Sequence, residues 1–232
     1  MSNKVRKAIV ISLYIISLII LIFCIKVRLT PNIYLDTQVR LILLSIFCIL
    51  VYTNGYILVY KLNYSKKILK YNLILYFLIY IITICTLTLF DEIYGRNGLS
   101  VVMWNKDTFK YYMKYSFNIV PFKTIKLFTN GYINGYVSLK NFSINIIGNL
   151  CAFMPFGMFL PLIFKNINKY YKFFIVMCFI VLCIEILQFI TMSGSCDIDD
   201  LILNVFGASI IYFICKIKCI NKLIRKVFLY EE

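Results

Sequence analysis

A chain of 232 residues that is 62% hydrophobic, with a mean hydropathy of +0.85, lies well beyond the roughly 45–50% apolar usage of soluble domains and reads as a polytopic membrane protein. Its formal charge of +15 then marks cytoplasmic flanks and contacts with membrane lipids, not nucleic acid. Histidine is absent, which excludes Ser-His-Asp hydrolysis, Cys-His nucleophiles, His-ligated zinc peptidases and His-dependent phosphatases.

The first apolar run covers residues 8–25 behind Lys4, Arg6 and Lys7. No Ala-x-Ala-like cleavage site follows it, so it is expected to be a retained membrane span and not a removed signal peptide. Runs two and three cover 41–60 and 68–90, separated by Lys61, Lys66, Lys67 and Lys70. At D-E-I-Y-G-R-N-G the character changes, opening a polar loop over 91–142. Within the loop Phe109, Tyr112, Met113 and Phe117 recur at near-helical spacing with Lys106, Lys110 and Lys114 between them, which predicts a short interfacial helix. The repeat N-G-Y-I-N-G-Y at 130–136 predicts turns. Three more apolar runs follow at 143–164, 173–190 and 201–217. The expected fold is an all-α integral membrane protein, one polytopic domain over 1–232, with about six transmembrane helices and a long extracytoplasmic loop between helices 3 and 4. Nine cysteines, mostly inside apolar runs and without C-x-x-C spacing, are read as small buried apolar residues.

Basic residues set the expected orientation. The N-terminus, the second and fourth connections and the C-terminal tail hold fifteen of the 25 Lys and Arg, and the short connections carry the clearer bias. Both termini are therefore expected in the cytoplasm of a cell membrane, with the loop and the acidic turn at 197–200 outside.

Polar side chains inside the last three runs are costly in hydrocarbon and need a reason to be there. Glu185 and Gln188, three apart, share one helix face. Asp197, Asp200 and Asn204 share a face if the sixth helix begins near Asp197, with Asp199 offset. Asn145 and Asn149, four apart, open the fourth run. Each has a structural reading: Asp197 as an N-cap with Asp200 at the third helical position, and the asparagines as interhelical hydrogen-bond glue. Glu185 is the acid for which a functional role is expected by default. Pro155 and Pro161 deprive the carbonyls of Cys151 and Gly157 of their helical donors, giving a kink or a broken helix that lines a cavity. No cofactor is evident. A divalent cation held by Glu185, Asp197 and Asp200 is one reading of the carboxylates, with Asp199 beside them; a general acid at Glu185 is the other.

Four ordered motifs carry a resemblance: N-I-V-P-F followed by K-T-I at 118–125, N-I-I-G-N-L-C-A-F-M-P-F-G-M-F-L-P at 145–161, E-I-L-Q at 185–188, and D-I-D-D-L-I-L-N-V-F-G-A at 197–208. Over residues 116–215 the chain resembles the VanZ-like family of membrane proteins, named for teicoplanin resistance. The resemblance implies an integral protein of a Gram-positive cell envelope linked to reduced susceptibility to lipoglycopeptide antibiotics, without a settled reaction. The positions matching its polar motifs are Asn118, Asn145, Asn149, Glu185, Gln188, Asp197, Asp199, Asp200 and Asn204. Where relatives often carry an Arg before the Asp motif, this chain has Ser193, Gly194, Ser195 and Cys196. Two functions follow. One is an outer-leaflet module that binds or shields a membrane lipid, a lipid-linked wall precursor or the lipoglycopeptide itself. The alternative is a membrane enzyme modifying a lipid or lipid-linked envelope component with the Glu185 and Asp200 carboxylates.

Overall fold

The computed structural model describes residues 2–29, 35–89, 105–191 and 194–228. The start of the polar loop (91–104), Phe90 and Ser193 lie outside the described residues. Without water to bond to, a backbone in hydrocarbon must satisfy its own N–H and C=O groups, and long apolar helices do so. Among the described residues, six helices are long and apolar enough to cross a membrane: Asn3–Val27, Thr37–Lys61, Lys67–Leu89, Leu139–Ile163, Tyr170–Thr191 and Ile198–Lys216. Each predicted apolar run falls on one of them.

The chain forms two compact units. The first, Met1–Ile79 with Lys222–Glu232, contains α1 (Asn3–Leu29), α2 (Thr37–Tyr56) running on through a π-helical turn (Ile57–Lys61), and most of α3 (Lys67–Leu89). Asp36 caps α2 by accepting from the Gln38 N–H at 3.0 Å. Gly55 permits close packing of α2 and α3, since a Cβ there would sit 2.4 Å from Asn72 Nδ2. Asn72 in turn donates to the Val51 carbonyl at 3.2 Å, and Tyr76 to that of Cys48 at 3.1 Å.

The second unit, Tyr80–Asn221, holds the polar residues. In chain order it contains α4 (Lys106–Tyr115), β1 (Phe117–Asn118), α5 (Lys123–Ile133), α6 (Leu139–Phe142), a π-helical turn (Ser143–Gly148), α7 (Asn149–Ala152), α8 (Phe156–Ile163), α9 (Tyr170–Thr191), β2 (Cys196–Asp197) and α10 (Ile198–Lys216). Helix α11 (Lys218–Phe228) follows α10. The fourth span is thus broken at 153–155. Pro155 has no N–H for the Cys151 carbonyl, which takes the Met154 N–H at 3.2 Å instead. The Phe156 N–H turns to Phe153 at 3.1 Å, and the Ala152 carbonyl it leaves is taken by the Tyr80 hydroxyl at 2.5 Å. Pro161 sits inside α8 without ending it.

Two glycines bring the broken span against α10. A Cβ on Gly207 would lie 1.8 Å from the Leu150 carbonyl oxygen, and one on Gly157 2.2 Å from that of Ala208. Only glycine admits backbone contact of this kind between membrane helices. At the other end of α10, Tyr212 stacks on Phe173 with centroids 4.6 Å apart and donates to the Asn168 carbonyl at 2.6 Å.

The described part of the loop is largely helical. The predicted helix around Tyr112 is α4, started by a capping box between Asn105 and Thr108. Tyr112 is buried: its ring lies 5.4 Å from that of Phe189, and its hydroxyl donates to the Gly194 carbonyl at 2.6 Å. The repeat at 130–136 corrects the sequence reading. Its first half is the last turn of α5, and only Gly135 has a left-handed φ, +77°. The Gly135 N–H bonds Tyr132 at 3.1 Å and the Tyr136 N–H bonds Gly131 at 2.8 Å, so the second Asn-Gly stops a helix that runs through the first.

Candidate functional site

Glu185 and Gln188 lie on the buried face of α9 with Phe173, Met177, Val181 and Ile184. Asp197 is the N-cap of α10, and its side chain accepts from the Asp199 N–H at 2.9 Å. In a capping box the carboxylate at the third helical position would return to the cap's own N–H. That position is Asp200, but the Asp197 N–H instead donates to Glu185 Oε2 at 3.1 Å. An acid on one helix thus completes the start of the next, and Glu185, only 5% exposed, joins α9 to α10.

Asp197 and Asp199 also reach outward and hold the loop. Strand β1 pairs in parallel with β2, Asn118 opposite Asp197. Asn118 donates to Asp197 Oδ1 at 2.9 Å, and the Thr124 hydroxyl donates to Asp197 Oδ2. Asp199, 0% exposed, accepts three backbone N–H groups: Phe122 at 2.5 Å, Thr124 at 2.7 Å and Ile125 at 3.1 Å. These include the orphan donors at the N-terminus of α5. The N-cap of that helix is Phe122, which is left-handed at φ +63° and offers no side-chain cap, so the cap comes from another helix. The N-I-V-P-F motif is therefore a turn shaped to present its N–H groups to Asp199.

A second polar line runs along the fourth span. The Asn145 amide donates to the Asn141 carbonyl at 2.9 Å and the Asn149 amide to the Asn145 carbonyl at 3.0 Å. Asn149 Nδ2 also donates to Asp200 Oδ1. Asn204, one turn beyond Asp200 on α10, is 4% exposed, and its Oδ1 is buried with no hydrogen-bond partner. Gln188 donates to the Thr88 carbonyl at 2.8 Å, while its Oε1 is likewise without a partner.

The predicted residues therefore divide by task. Glu185, Asp197, Asp199 and Asn118 form a clasp that ties α9, α10 and the loop together. Asn149 and Asp200 bridge the fourth span and α10, Asn204 stands one turn beyond Asp200 on α10, and the Asn145 amide bonds within its own span. Asp197 is the cap and not a residue of the helix, and its carboxylate bonds Asn118, Thr124 and the Asp199 N–H. The carboxylates are close enough to act on their surroundings: burial first, then the negative charges of Glu185, Asp197 and Asp200, push the Cys196 thiol up to about 11. Among the described residues no group of three or more Cys, Asp and Glu is arranged to hold a metal ion, and both oxygens of Asp197 and of Asp199 face N–H or O–H donors. Sequence reasoning missed Thr124 and Tyr80, and gave Tyr112 a place on the interfacial helix without its bond to Gly194. Thr124 stands inside the quoted K-T-I, but a threonine in a polar loop carries no cost that would single it out.

Fold and site together define an integral, all-helical membrane protein whose second unit buries a carboxylate and carboxamide cluster under a clasped loop segment. The VanZ/LLP1 family profile matches residues 77–220, and the chain belongs to that family. It is 34% identical over 129 residues to Protein VanZ of Enterococcus faecium. That alignment covers 56% of this chain and 64% of the relative, so it spans less than two thirds of the relative's length. No solved structure matches the chain.

Proposed function

We propose that this protein acts at the outer leaflet of a Gram-positive cell membrane, with both termini cytoplasmic, to reduce susceptibility to lipoglycopeptide antibiotics such as teicoplanin. It does so by binding or shielding a lipid or a lipid-linked wall precursor. One observation supports binding over catalysis: the acids serve the fold, since Asp197 and Asp199 are filled by the clasp's own N–H and O–H donors, Glu185 accepts the Asp197 N–H and Asp200 accepts the Asn149 amide. Kinship with Protein VanZ supports the antibiotic link, and the charge bias of the short connections supports the orientation.

The test compares teicoplanin and vancomycin susceptibility of cells expressing wild type, Glu185→Gln, Asp200→Asn and Asn149→Ala at matched membrane levels, with mass spectrometry of lipids and wall precursors. Binding predicts resistance that falls in the variants with no change in any lipid or precursor mass. A covalent change that disappears in Glu185→Gln and Asp200→Asn would establish the enzyme instead. Wild-type resistance in every variant would remove the polar site from the function. Labelling of Cys196 from the cytoplasmic side would overturn the orientation.

A further inference from the structure

Helix α11 carries much of its charge in a single row. Lys218, Lys222 and Lys226 recur every four residues along one face, a line about 12 Å long, and all three are exposed. Like charges four apart destabilise a helix, and α11 contains no acid. None of the three ammonium groups has a hydrogen bond or ion pair among the described residues. Ile220, Leu223, Ile224 and Val227 form the opposite face. Both ends of the helix are tied to membrane spans. At its start, a bend at Ile217 ends α10 after Lys216, and the Asn221 side chain donates back to the Cys215 carbonyl at 2.9 Å. At its end, the Phe228 ring lies 6.4 Å from the rings of Tyr52 and of Tyr76. Tyr52 precedes Lys61 by nine residues and Tyr76 follows Lys67 by nine, which places both about 13 Å inside the ends of their spans. The Phe228 end of the apolar side is thus seated below the span ends, and the lysine row on the opposite side is left to the headgroup layer.

We propose that α11 binds anionic phospholipid headgroups through Lys218, Lys222 and Lys226, in the leaflet where α10 ends at Lys216. Phosphodiester oxygens supply the negative charge and the acceptors that three ammonium groups lack, and a headgroup plane presents them in a row beside a helix lying along it. A zwitterionic headgroup pairs its phosphate with its own cation, so it offsets little of the repulsion along the row. A soluble polyanion has the charge but gives Leu223, 60% exposed, no apolar cover, whereas the acyl region beneath the headgroups does. The family profile ends at residue 220, before Lys222 and Lys226, so this surface is separate from the polar motifs and does not rest on the resistance reading.

The full chain is placed in phosphatidylcholine nanodiscs in which phosphatidylglycerol is raised stepwise, and amide hydrogen exchange of residues 218–228 is followed by mass spectrometry. A lysine near an anionic surface is worth about fivefold in affinity. Phosphatidylglycerol should therefore slow exchange in α11 by up to about 100-fold, while exchange within α10 stays unchanged. Salt at about 1 M, which cuts the screening length to about 3 Å, should remove most of the effect. The variant carrying Lys218→Gln, Lys222→Gln and Lys226→Gln should lose it, and the one carrying Lys218→Arg, Lys222→Arg and Lys226→Arg should keep it. If the triple glutamine variant does not fold, Lys222→Gln alone should reduce the slowing about fivefold. Inorganic phosphate or a single-stranded DNA oligonucleotide added to phosphatidylcholine discs should leave exchange as it was. Equal exchange with and without phosphatidylglycerol, or an effect undiminished in the glutamine variants, overturns the proposal. So does equal slowing by phosphate or DNA in phosphatidylcholine discs, which would assign the row to a soluble anion. Both leaflets of a nanodisc share one composition, so the outcome holds for either orientation of the chain.

Discussion

Replacing Asp199 with alanine tests the clasp most directly, because one side chain caps a helix in another part of the chain. Its carboxylate accepts the N–H groups of Phe122, Thr124 and Ile125, and Phe122 cannot substitute as a cap. Hydrogen bonds to a charged group are worth about 1.5–3 kcal/mol each. Helix α5 has no buried residue, so water replaces part of what is lost. The net cost is then about one such bond plus a cap of about 1 kcal/mol, roughly 3 kcal/mol in all. Asp199→Asn keeps one acceptor oxygen and should cost about half as much. The loss falls on the loop before the spans, so the sensitive assay is limited trypsin cleavage after Lys123 and Lys126, both exposed, in a bilayer. A local opening eased by about 3 kcal/mol raises the opening constant roughly 100-fold. Cleavage of Asp199→Ala within about twofold of wild type, at unchanged membrane levels, would refute capping across helices.

The other predictions follow from neighbouring contacts. Thr124→Val removes the hydroxyl donor to Asp197 while keeping its shape, and should raise the same cleavage by about tenfold, the effect of roughly 1–1.5 kcal/mol. Gly207→Ala drives a methyl into the Leu150 carbonyl; it should cost about 3 kcal/mol or more and show as loss of folded protein by fluorescence-detected size exclusion. A normal elution profile would show that the α7–α10 contact is looser than glycine distance. Cys196, with its thiol pushed up to about 11 by burial and by Glu185, Asp197 and Asp200, should alkylate slowly near neutral pH in a variant lacking the other cysteines. Its rate should keep rising past the range near 8.5 where a free thiol levels off. Glu185→Gln removes one negative neighbour and should shift that profile to lower pH; a shift upward would contradict the assigned cause.

The spans were legible because hydrocarbon imposes one rule on every residue, so an apolar run of sufficient length has few alternatives to a helix. The polar positions were legible for the converse reason: Glu185, Asp200 and Asn204 stand out as costs. Their partners were not. Helical spacing placed Asp199 off the shared face of Asp200 and Asn204 but had no term for a helix 75 residues earlier whose N-terminus needs a cap. Asp197 was legible as an N-cap, and its bond to Thr124 was not, since that contact spans 73 positions. The break at Pro155 could be foreseen from the missing N–H. That the Ala152 carbonyl would meet the Tyr80 hydroxyl depended on the packing of α3, which no local pattern encodes.

The acids of this site differ in what the fold asks of them. An acidic cluster in a membrane protein usually raises the question of which cation balances it, yet Asp197 and Asp199 are met by backbone N–H groups, a carboxamide and a hydroxyl. The partial positive charge at the start of α5 serves Asp199 as a counter-ion would, and the start of α10 serves Asp197 in the same way. Substituting either acid therefore disturbs folding of the loop whether or not the protein has a ligand. Asp200 and Asn204 stand elsewhere, one turn apart on α10, and Asn204 Oδ1 contributes no bond to the fold. A variant that loses function at Asp197 or Asp199 therefore reports the clasp before it reports any ligand.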